Sequence, residues 1–524
     1  MEPNKDISFG HEARMRIKAG IDKAAQAVAP TLGPIGMSAI IEHPGLDPVE
    51  CDDGVTILKS LQFKDHHENL GLQKLRKGAV RTSTEGGDGT ATTTVLTQAL
   101  VTEAFKEISN DSSKIREVKE RLEKGLQATL EELSSLKRDI TEEEIEQIAT
   151  ISSLDPEIAT IIAEMIKEVG VNGVITVEKG ASLGYSKEVV KGARFDKGLI
   201  SPYFINSPST QSTILEDAYI VLVDRKVSTN EQILNLLQSI GTGKDILFIA
   251  DSIESVALGT LAHNAVNGVA DIGCVVNPYS ASRARDFLFD IAALTGATVI
   301  SEETGMKLDE ATVALCGRAE KVIITRDSTT IIGGRPSDTL QDRIHSIEQE
   351  IESTTSEYLK QTLQDRLAQL TGGIGVIRVG AYTDTEFNAK KYKFDNAVNA
   401  TQAALQEGIV AGGGVSLARL TVEEPMFKNA LIAPLKQMAI NAGMDWYDVL
   451  SKVKAPYEVL GMLAEQSPIG CNFKTKVYVD MFDAGIIDPF KVVRLALESA
   501  TAITLSLVSV ESVITIEDKP DETK

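Results

Sequence analysis

Apolar residues recur at helical spacing near both ends of the chain. One stripe, at i, i+4, i+7 and i+11, consists of Ile17, Ile21, Ala24 and Val28. Residues 92–105 repeat the pattern, and from about residue 385 to about 509 it is helical again, before an apparent strand at 513–516. A helical region is therefore predicted to begin and to finish the chain.

The middle of the chain alternates short β-rich runs with helical runs, which is α/β patterning. The β-rich runs are 219–223, 246–250, 298–301 and 321–325. A helix is predicted over 229–240, and the next is expected to begin near Asp251, with Glu254 at a spacing like that of a capping box. Residues 338–370 are predicted to form a helical hairpin. The pattern as a whole indicates an α+β multidomain fold, with an α/β region inserted into a helical one.

Length, charge and cysteine content narrow the class of protein. A chain of 524 residues exceeds the roughly 250–300 at which single cores stop growing. The net charge of −22 argues against a nucleic-acid partner, which needs clustered Lys and Arg. No apolar run reaches the ~18 residues of a membrane span, and the polar N-terminus lacks a signal-peptide stretch. Four scattered cysteines favour reduced thiols and a cytoplasmic location.

The strongest local motif is Gly87-Asp88-Gly89-Thr90-Ala91-Thr92-Thr93-Thr94. Glycines let backbone N–H groups approach phosphate oxygens, and the following helix directs its positive N-terminus at them. Asp88 would be repelled by phosphates unless it holds a Mg²⁺ that bridges them. Taken alone, the motif is also compatible with a tight turn that caps a helix with Asp and Thr. The segment 241–245 is not a Walker A loop, because its spacing is wrong.

Three further turns could join such a site, although each alone is more often a plain turn. They are Thr31-Leu32-Gly33-Pro34, Asp52-Asp53-Gly54 and Ala411-Gly412-Gly413-Gly414. Together, in this order, they resemble the nucleotide site of the group I chaperonins, the GroEL type. Segments 198–206, 373–380 and 407–414 look like further signatures of that family, and the resemblance extends over about residues 10–515.

The resemblance implies a chaperonin fold with three domains: a helical equatorial domain (1–135 and 408–524), a small intermediate domain (136–190 and 374–407) and an inserted α/β apical domain (191–373). It implies homo-oligomeric seven-membered rings, two of them stacked, that use ATP, Mg²⁺ and K⁺ to enclose non-native polypeptides beneath a small co-chaperonin cap.

The resemblance also assigns roles to positions. Asp53 and the catalytic position, 396, would act on ATP; Asp88 would hold the metal; Lys197 and Asp384 would tie neighbouring subunits. Nucleotide contacts would be Thr31, Leu32, Gly33, Pro34, Asp53, Gly54, Asp88, Gly89, Thr90, Ala91, Thr92, Ile151, Gly412, Gly413, Asn472 and Asp488.

Three positions depart from the family pattern. Asp52 replaces Lys, Ala91 replaces Thr, and Asn396 replaces the water-activating Asp. An amide can orient a water but cannot take its proton, and loss of a general base typically costs 10²–10⁴-fold in rate. Asp395 lies about 100° around the helix and should not substitute. ATP binding with slow hydrolysis is therefore expected; the alternative is a divergent paralogue that acts as a binding or scaffold protein.

The family's apolar patch for polypeptides and co-chaperonin maps to Leu199, Tyr203, Phe204, Leu234, Leu237, Leu258, Ala262 and His263. Burial of a captured segment's apolar surface would drive binding. Leu234 and Leu237 could instead be core residues, although Ile233, Leu236 and Ile240 already supply a core face for that helix. Ala262 and His263 stand where Val is usual, which weakens the groove expected to bind the cap.

Overall fold

The computed structural model describes residues 5–42, 48–109, 111–170, 173–180, 183–208, 210–280, 282–301, 305–354, 356–455 and 468–516. The chain forms two compact units: Met1–Ala163 with Asn388–Lys524, and Glu164–Phe387. The three-domain bounds implied by the resemblance stay a prediction.

The helices in chain order are α1 (Gly10–Val28), α2 (Gly54–Ser60), α3 (His66–Gly86), α4 (Thr90–Ile108), α5 (Ile115–Ser135), α6 (Glu142–Ser153), α7 (Pro156–Val169), α8 (Asn230–Ile240), α9 (Ser255–Val266), α10 (Ser282–Thr295), α11 (Leu340–Ser353), α12 (Glu357–Thr371), α13 (Asp384–Glu407), α14 (Val415–Arg419), α15 (Pro425–Ala430), α16 (Ala433–Asn441), α17 (Trp446–Val453) and α18 (Phe490–Val508). The strands are β1 (Lys5–Phe9), β2 (Ala39–Ile41), β3 (Val49–Cys51), β4 (Val174–Lys179), β5 (Tyr185–Phe195), β6 (Thr213–Val227), β7 (Ile246–Ile253), β8 (Ile272–Val276), β9 (Val299–Ile300), β10 (Gly317–Ile324), β11 (Thr329–Gly334), β12 (Gly373–Val379), β13 (Ile409–Ala411), β14 (Ile469–Asn472), β15 (Val477–Asp480), β16 (Ile487–Pro489) and β17 (Ser512–Ile516).

The first unit is mainly helical. Its central helix, α18, is buried along most of its length and packs against α3, α4 and α5. Helices α1 and α3 cross closely because glycines face backbone there: a Cβ on Gly20 would lie 1.9 Å from the Glu68 carbonyl oxygen. Strand β17 pairs antiparallel with β1, so the two ends of the described chain meet in one small sheet.

The second unit is built on a nine-stranded sheet in the order β4-β12-β5-β11-β10-β6-β7-β8, with β9 also paired to β6. Parallel pairs β6–β7 and β7–β8 lie at one end of this order, and antiparallel pairs occupy its middle. Buried aliphatic residues fill one core on each side of β6, which explains its long apolar run. Helices and sheet strands thus combine as the α+β prediction requires.

The predicted start of the helix near Asp251 is wrong. Strand β7 continues to Ile253, and α9 begins at Ser255 after Glu254. Pairing of Ser252 and Ile253 with β6 extends the strand past the apparent cap. The helix predicted over 229–240 is confirmed as α8, and the predicted hairpin is confirmed as α11 and α12. Within the described residues no helix combines the length and apolarity needed to cross a membrane.

Candidate nucleotide site and polypeptide-binding surface

The glycine-rich loop between α3 and α4 has the backbone that its sequence predicts. Gly87 and Gly89 adopt φ of 83° and 93°, a left-handed region that suits glycine. Gly87 also packs closely on α13, because a Cβ there would lie 2.4 Å from the backbone nitrogen of Ala400. Asp88 accepts a hydrogen bond from Gly89 N at 2.5 Å. The loop therefore presents Asp88 at the N-terminus of α4.

The other predicted turns come together around this loop. Gly54 lies against Thr90, since a Cβ on Gly54 would be 3.1 Å from the Thr90 Cγ2. The Asp53 carboxylate caps α2, accepting from Val55 N at 3.2 Å and Thr56 N at 2.6 Å. At the β13–β16 strand pair, a Cβ on Gly412 would lie 3.1 Å from Asp488 Oδ1. The four motifs noted in the sequence thus belong to one region of the first unit.

Three carboxylates influence one another in this region. The pKa of Asp88 is raised by desolvation and by the charge of Asp53. Burial and the charge of Asp88 raise the pKa of Asp488 to about 7. Asp88 is nonetheless exposed to solvent, so its desolvation is only partial. Such an accumulation of negative charge favours a bound cation.

The residues present fit a magnesium ion that is bound together with a nucleotide. No group of three His, Cys, Asp or Glu side chains in the described ranges is arranged to hold a metal alone. Mg²⁺ in nucleotide sites is usually held by one or two carboxylates together with phosphate oxygens and waters, rather than by an all-protein cage. Asp88, at the N-terminus of α4, would be the carboxylate that holds such an ion.

The first turn is held by a residue that sequence reasoning missed. The Asn441 amide donates to the carbonyls of Ala29 at 3.0 Å, Pro30 at 3.3 Å and Leu32 at 2.8 Å. Thr31 donates its hydroxyl to the carbonyl of Val28, the last residue of α1, at 2.8 Å. No sequence signal identifies Asn441, because its contacts span about 410 residues of chain.

The remaining predicted contacts lie on elements close to these turns. Ile151 is exposed on α6, whose Ile148 packs with Ile487 next to Asp488. Asn472 ends β14 and accepts from Lys474 N at 3.0 Å, forming a turn. Leu32, Ala411, Phe473 and Ile486 share one apolar cluster, which joins the first turn, the Gly412–Gly413 turn and the β14–β15 hairpin. Thr90 is buried and Thr92 is half-buried at the start of α4.

The structure shows the surroundings of two of the three positions that depart from the family pattern, Asp52 and Ala91. Asp52 is exposed beside Asp53, so it adds negative charge at the surface of the turn. Ala91 is partly buried against the core of the first unit, where its methyl group packs. Asp395 forms a 3.1 Å ion pair with Lys391, which supports the expectation that it does not replace the residue at 396.

The third departure, Asn396, lies one turn from a residue that binds Asp53. Tyr392, one turn earlier on α13, donates its hydroxyl to Asp53 Oδ1 at 2.7 Å. The side chains of Asn396 and Ser83 lie near the same phenol. A tyrosine that the sequence did not single out is therefore close to both residues assigned to ATP chemistry, positions 53 and 396.

The apical candidates in the second unit divide into exposed and packed residues. Tyr203 is 69% exposed and Leu234 is 51% exposed. Leu199, Leu237, Leu258 and Ala262 are half-buried against the core, and His263 is exposed. Two valines missed by sequence reasoning, Val256 and Val266, share the exposed stripe of α9 with His263. Val256, His263 and Val266 stand at i, i+7 and i+10, a spacing that places them on one helix face and could have indicated this stripe.

The prediction that Phe204 belongs to the exposed apolar patch is wrong. Its side chain is only 2% exposed and lies in the core beside β6 and α8. Residues 202–204 form a 3₁₀ helix, in which neighbours point about 120° apart, so Tyr203 faces solvent and Phe204 faces inward. Lys197 is described, but the side chain of Asp384 lies outside what the structure describes, so their predicted pairing between subunits stays a prediction.

The split helical unit and the inserted α/β unit define a chaperonin-like architecture. The model of the TCP-1/cpn60 chaperonin family matches residues 24–518, and the chain belongs to that family. The fold is similar to that of the chaperonin gp146 from the bacteriophage EL 2 (Pseudomonas aeruginosa), crystallised in the presence of ATP-BeFx. The TM-score is 0.68 at 21% identity, over 98% of this chain and 99% of that one. The sequence-based identification as a divergent chaperonin is thereby confirmed.

The carboxylate cluster makes the nucleotide-free protein sensitive to pH. An Asp in an unfolded chain ionises near ~4, whereas Asp488 ionises at about 7 in the folded protein. The folded state therefore binds the extra proton between these values, and its stability should fall as pH rises through that interval and stay low above it. We expect Asp488→Asn to raise the melting temperature by roughly 2 °C or more at pH 8, and to change it little at pH 4.5.

Thermal melts of the nucleotide-free protein at both pH values would test this, with exposed Asp483→Asn as the matched control. An equal shift at pH 4.5 and pH 8 for Asp488→Asn would contradict a role for its ionisation.

Proposed function

We propose that this chain is the subunit of a ring-forming chaperonin that binds ATP with Mg²⁺ and K⁺, hydrolyses it slowly, and captures non-native polypeptides. The observation that carries the proposal is the convergence of the Gly87–Gly89 loop, the Asp53–Gly54 turn and the Gly412–Asp488 contact around mutually interacting carboxylates. That arrangement suits a nucleotide phosphate chain bridged by a cation.

Two small sheets in the first unit support assembly into rings. The β1–β17 sheet exposes Ile7, Phe9, Ile514 and Ile516, and the β2–β3 sheet exposes Ile40 at 79%. Two-stranded sheets are marginal alone, and their free edges can pair with strands of another chain. We propose seven subunits a ring and two stacked rings, as the family resemblance implies.

Client capture is assigned to the exposed apolar surface of the second unit, defined by Tyr203, Leu234, Val256 and Val266 and called the apical patch below. Burial of such side chains against an unfolded segment contributes roughly 1.5–3 kcal/mol for each fully covered residue. His263 interrupts the patch on α9, which reduces the apolar surface that a co-chaperonin cap could cover.

We expect Tyr203→Ser combined with Leu234→Ser to weaken capture of a reduced, alkylated and permanently unfolded protein about tenfold, because the apical patch loses its two largest residues. The affinity would be measured by fluorescence anisotropy of the labelled unfolded chain. Tyr382→Ser combined with Leu359→Ser is the matched control, since both residues are exposed elsewhere in the same unit. Equal weakening by the control pair would remove the assignment.

A second function class is favoured by one observation, the amide at position 396. A chaperonin-like scaffold that binds nucleotide without turnover would retain Asp88 and the glycine turns and could lose its base. Release of phosphate in multiple turnovers would exclude this alternative. We further propose a reducing, cytoplasmic setting, which the four free thiols at Cys51, Cys274, Cys316 and Cys471 support.

A further inference from the structure

The Tyr392 phenol joins three elements of the nucleotide site. Its hydroxyl donates to Asp53 Oδ1 at 2.7 Å, and the side chains of Asn396 and Ser83 lie near it. Tyr392 and Asn396 are one turn apart on α13, so they share a face of that helix. Ser83 lies on α3, shortly before the Gly87–Gly89 loop. The phenol therefore lies where α13, the glycine-rich loop and the cap of α2 meet.

The hydrogen bonds in this network have a direction. A phenol has one proton, and Tyr392 gives it to Asp53. The phenol oxygen can then only accept from further partners, and the nearby side chains of Asn396 and Ser83 each carry a donor. Burial and the negative charge of Asp53 raise the pKa of Tyr392 well above its usual value. The phenol therefore remains a neutral donor throughout the physiological range.

This direction distinguishes an amide from a carboxylate at position 396. An ionised carboxylate only accepts hydrogen bonds, so an aspartate at 396 would compete with Asp53 for the single phenol proton. The amide of Asn396 has no charge with which to draw that proton away, so the phenol stays bound to Asp53. Asn396 is thus compatible with the Tyr392–Asp53 hydrogen bond, in addition to any loss of a base at 396.

We propose that Tyr392 is a positioning residue of the nucleotide site: its hydrogen bond fixes the Asp53 carboxylate at the start of α2 and so orients it towards the bound nucleotide. The proposal rests on the proposed function, because Asp53 is the remaining carboxylate that could act on ATP when position 396 is an amide. It assigns to Tyr392 a role in turnover that no sequence motif indicates.

Steady-state phosphate release with ATP, Mg²⁺ and K⁺ tests the proposal. We expect Tyr392→Phe to lower kcat about fivefold with less than a twofold change in KM, because the phenol orients Asp53 without touching substrate. Tyr478→Phe is the matched control, since it removes a buried hydroxyl with no hydrogen-bond partner in the described structure. An unchanged kcat in Tyr392→Phe, or an equal loss in Tyr478→Phe, would overturn the proposal.

The coupling between the two residues supplies a second measurement. In the Asn396→Asp background the phenol proton is contested, so Tyr392→Phe should change kcat less than twofold there. A fivefold loss in both backgrounds would show that the residue at 396 does not affect the Tyr392–Asp53 hydrogen bond, and would overturn the coupling between the two positions.

Hydrogen–deuterium exchange separates failure of this proposal from failure of the proposed function. Without nucleotide, amides of residues 54–60 should exchange at least threefold faster in Tyr392→Phe, because the cap of α2 loses its support, and should not change in Tyr478→Phe. If the unaltered protein shows no ATP binding, the proposed function fails. Unchanged exchange of residues 54–60 in Tyr392→Phe would instead reject the proposal that Tyr392 fixes Asp53, whether or not ATP binds.

Discussion

Asn396→Asp is expected to raise steady-state phosphate release from ATP roughly a hundredfold. The substitution keeps the shape of the side chain and restores an oxygen that can take a proton from the attacking water, and a general base contributes ~10²–10⁴-fold. The lower end is expected because Tyr392 lies beside position 396 and would share its proton with the new carboxylate. The rate would be measured with saturating ATP, Mg²⁺ and K⁺, beside the unaltered protein.

Asn388→Asp is the matched control for this gain. Asn388 is exposed and lies one turn before Tyr392 on α13, so the same charge is added to the same helix without placing a carboxylate at position 396. Equal and brisk rates for the unaltered protein and Asn396→Asp would mean that Asn396 is tolerated and that Asp53 or another group serves as base. Equal and slow rates would instead point to Asp52 or Ala91 as the limiting departures.

The sequence predicted the parts of the fold that depend on local signals. Helix α8 was predictable because Thr229 and Gln232 form a capping box and the apolar stripe that follows has a helical period. The start of α9 was not, because the cap-like Asp251 and Glu254 follow an apolar run whose pairing with β6 prevails. Short strands such as β13 and β16 were also missed, since three residues carry no period.

The site was predictable only where motifs are contiguous. The glycine-rich turns identified the candidate site, but no local signal indicates that Tyr392 reaches Asp53, 339 positions away, or that Asn441 holds the first turn. Tyr203 and Phe204 are adjacent in one motif, and only the core around β6 decides which of them is buried. Contacts between distant segments thus determine the roles that composition and spacing leave open.

Asp88→Asn is expected to remove the Mg²⁺ dependence of nucleotide binding. With Mg²⁺, the variant should bind ADP or a non-hydrolysed ATP analogue about a hundredfold more weakly, because the carboxylate that anchors the cation is gone. Opposite unit charges ~5 Å apart at an effective dielectric near 20 interact by about 3 kcal/mol, which corresponds to about that factor. Without Mg²⁺, the same substitution should improve binding, since one charge that repels the phosphates has been removed.

The ratio of dissociation constants without and with Mg²⁺ is therefore the informative quantity. Isothermal titration in the presence of Mg²⁺ or of a chelator would give a large ratio for the unaltered protein and a ratio near ~1 for Asp88→Asn. Asp52→Asn is the matched control: it removes an exposed carboxylate from the neighbouring turn and should improve binding under both conditions, leaving the ratio large. A ratio that stays large in Asp88→Asn would show that Asp53 or Asp488 holds the cation, and would transfer the metal role away from the loop at the start of α4.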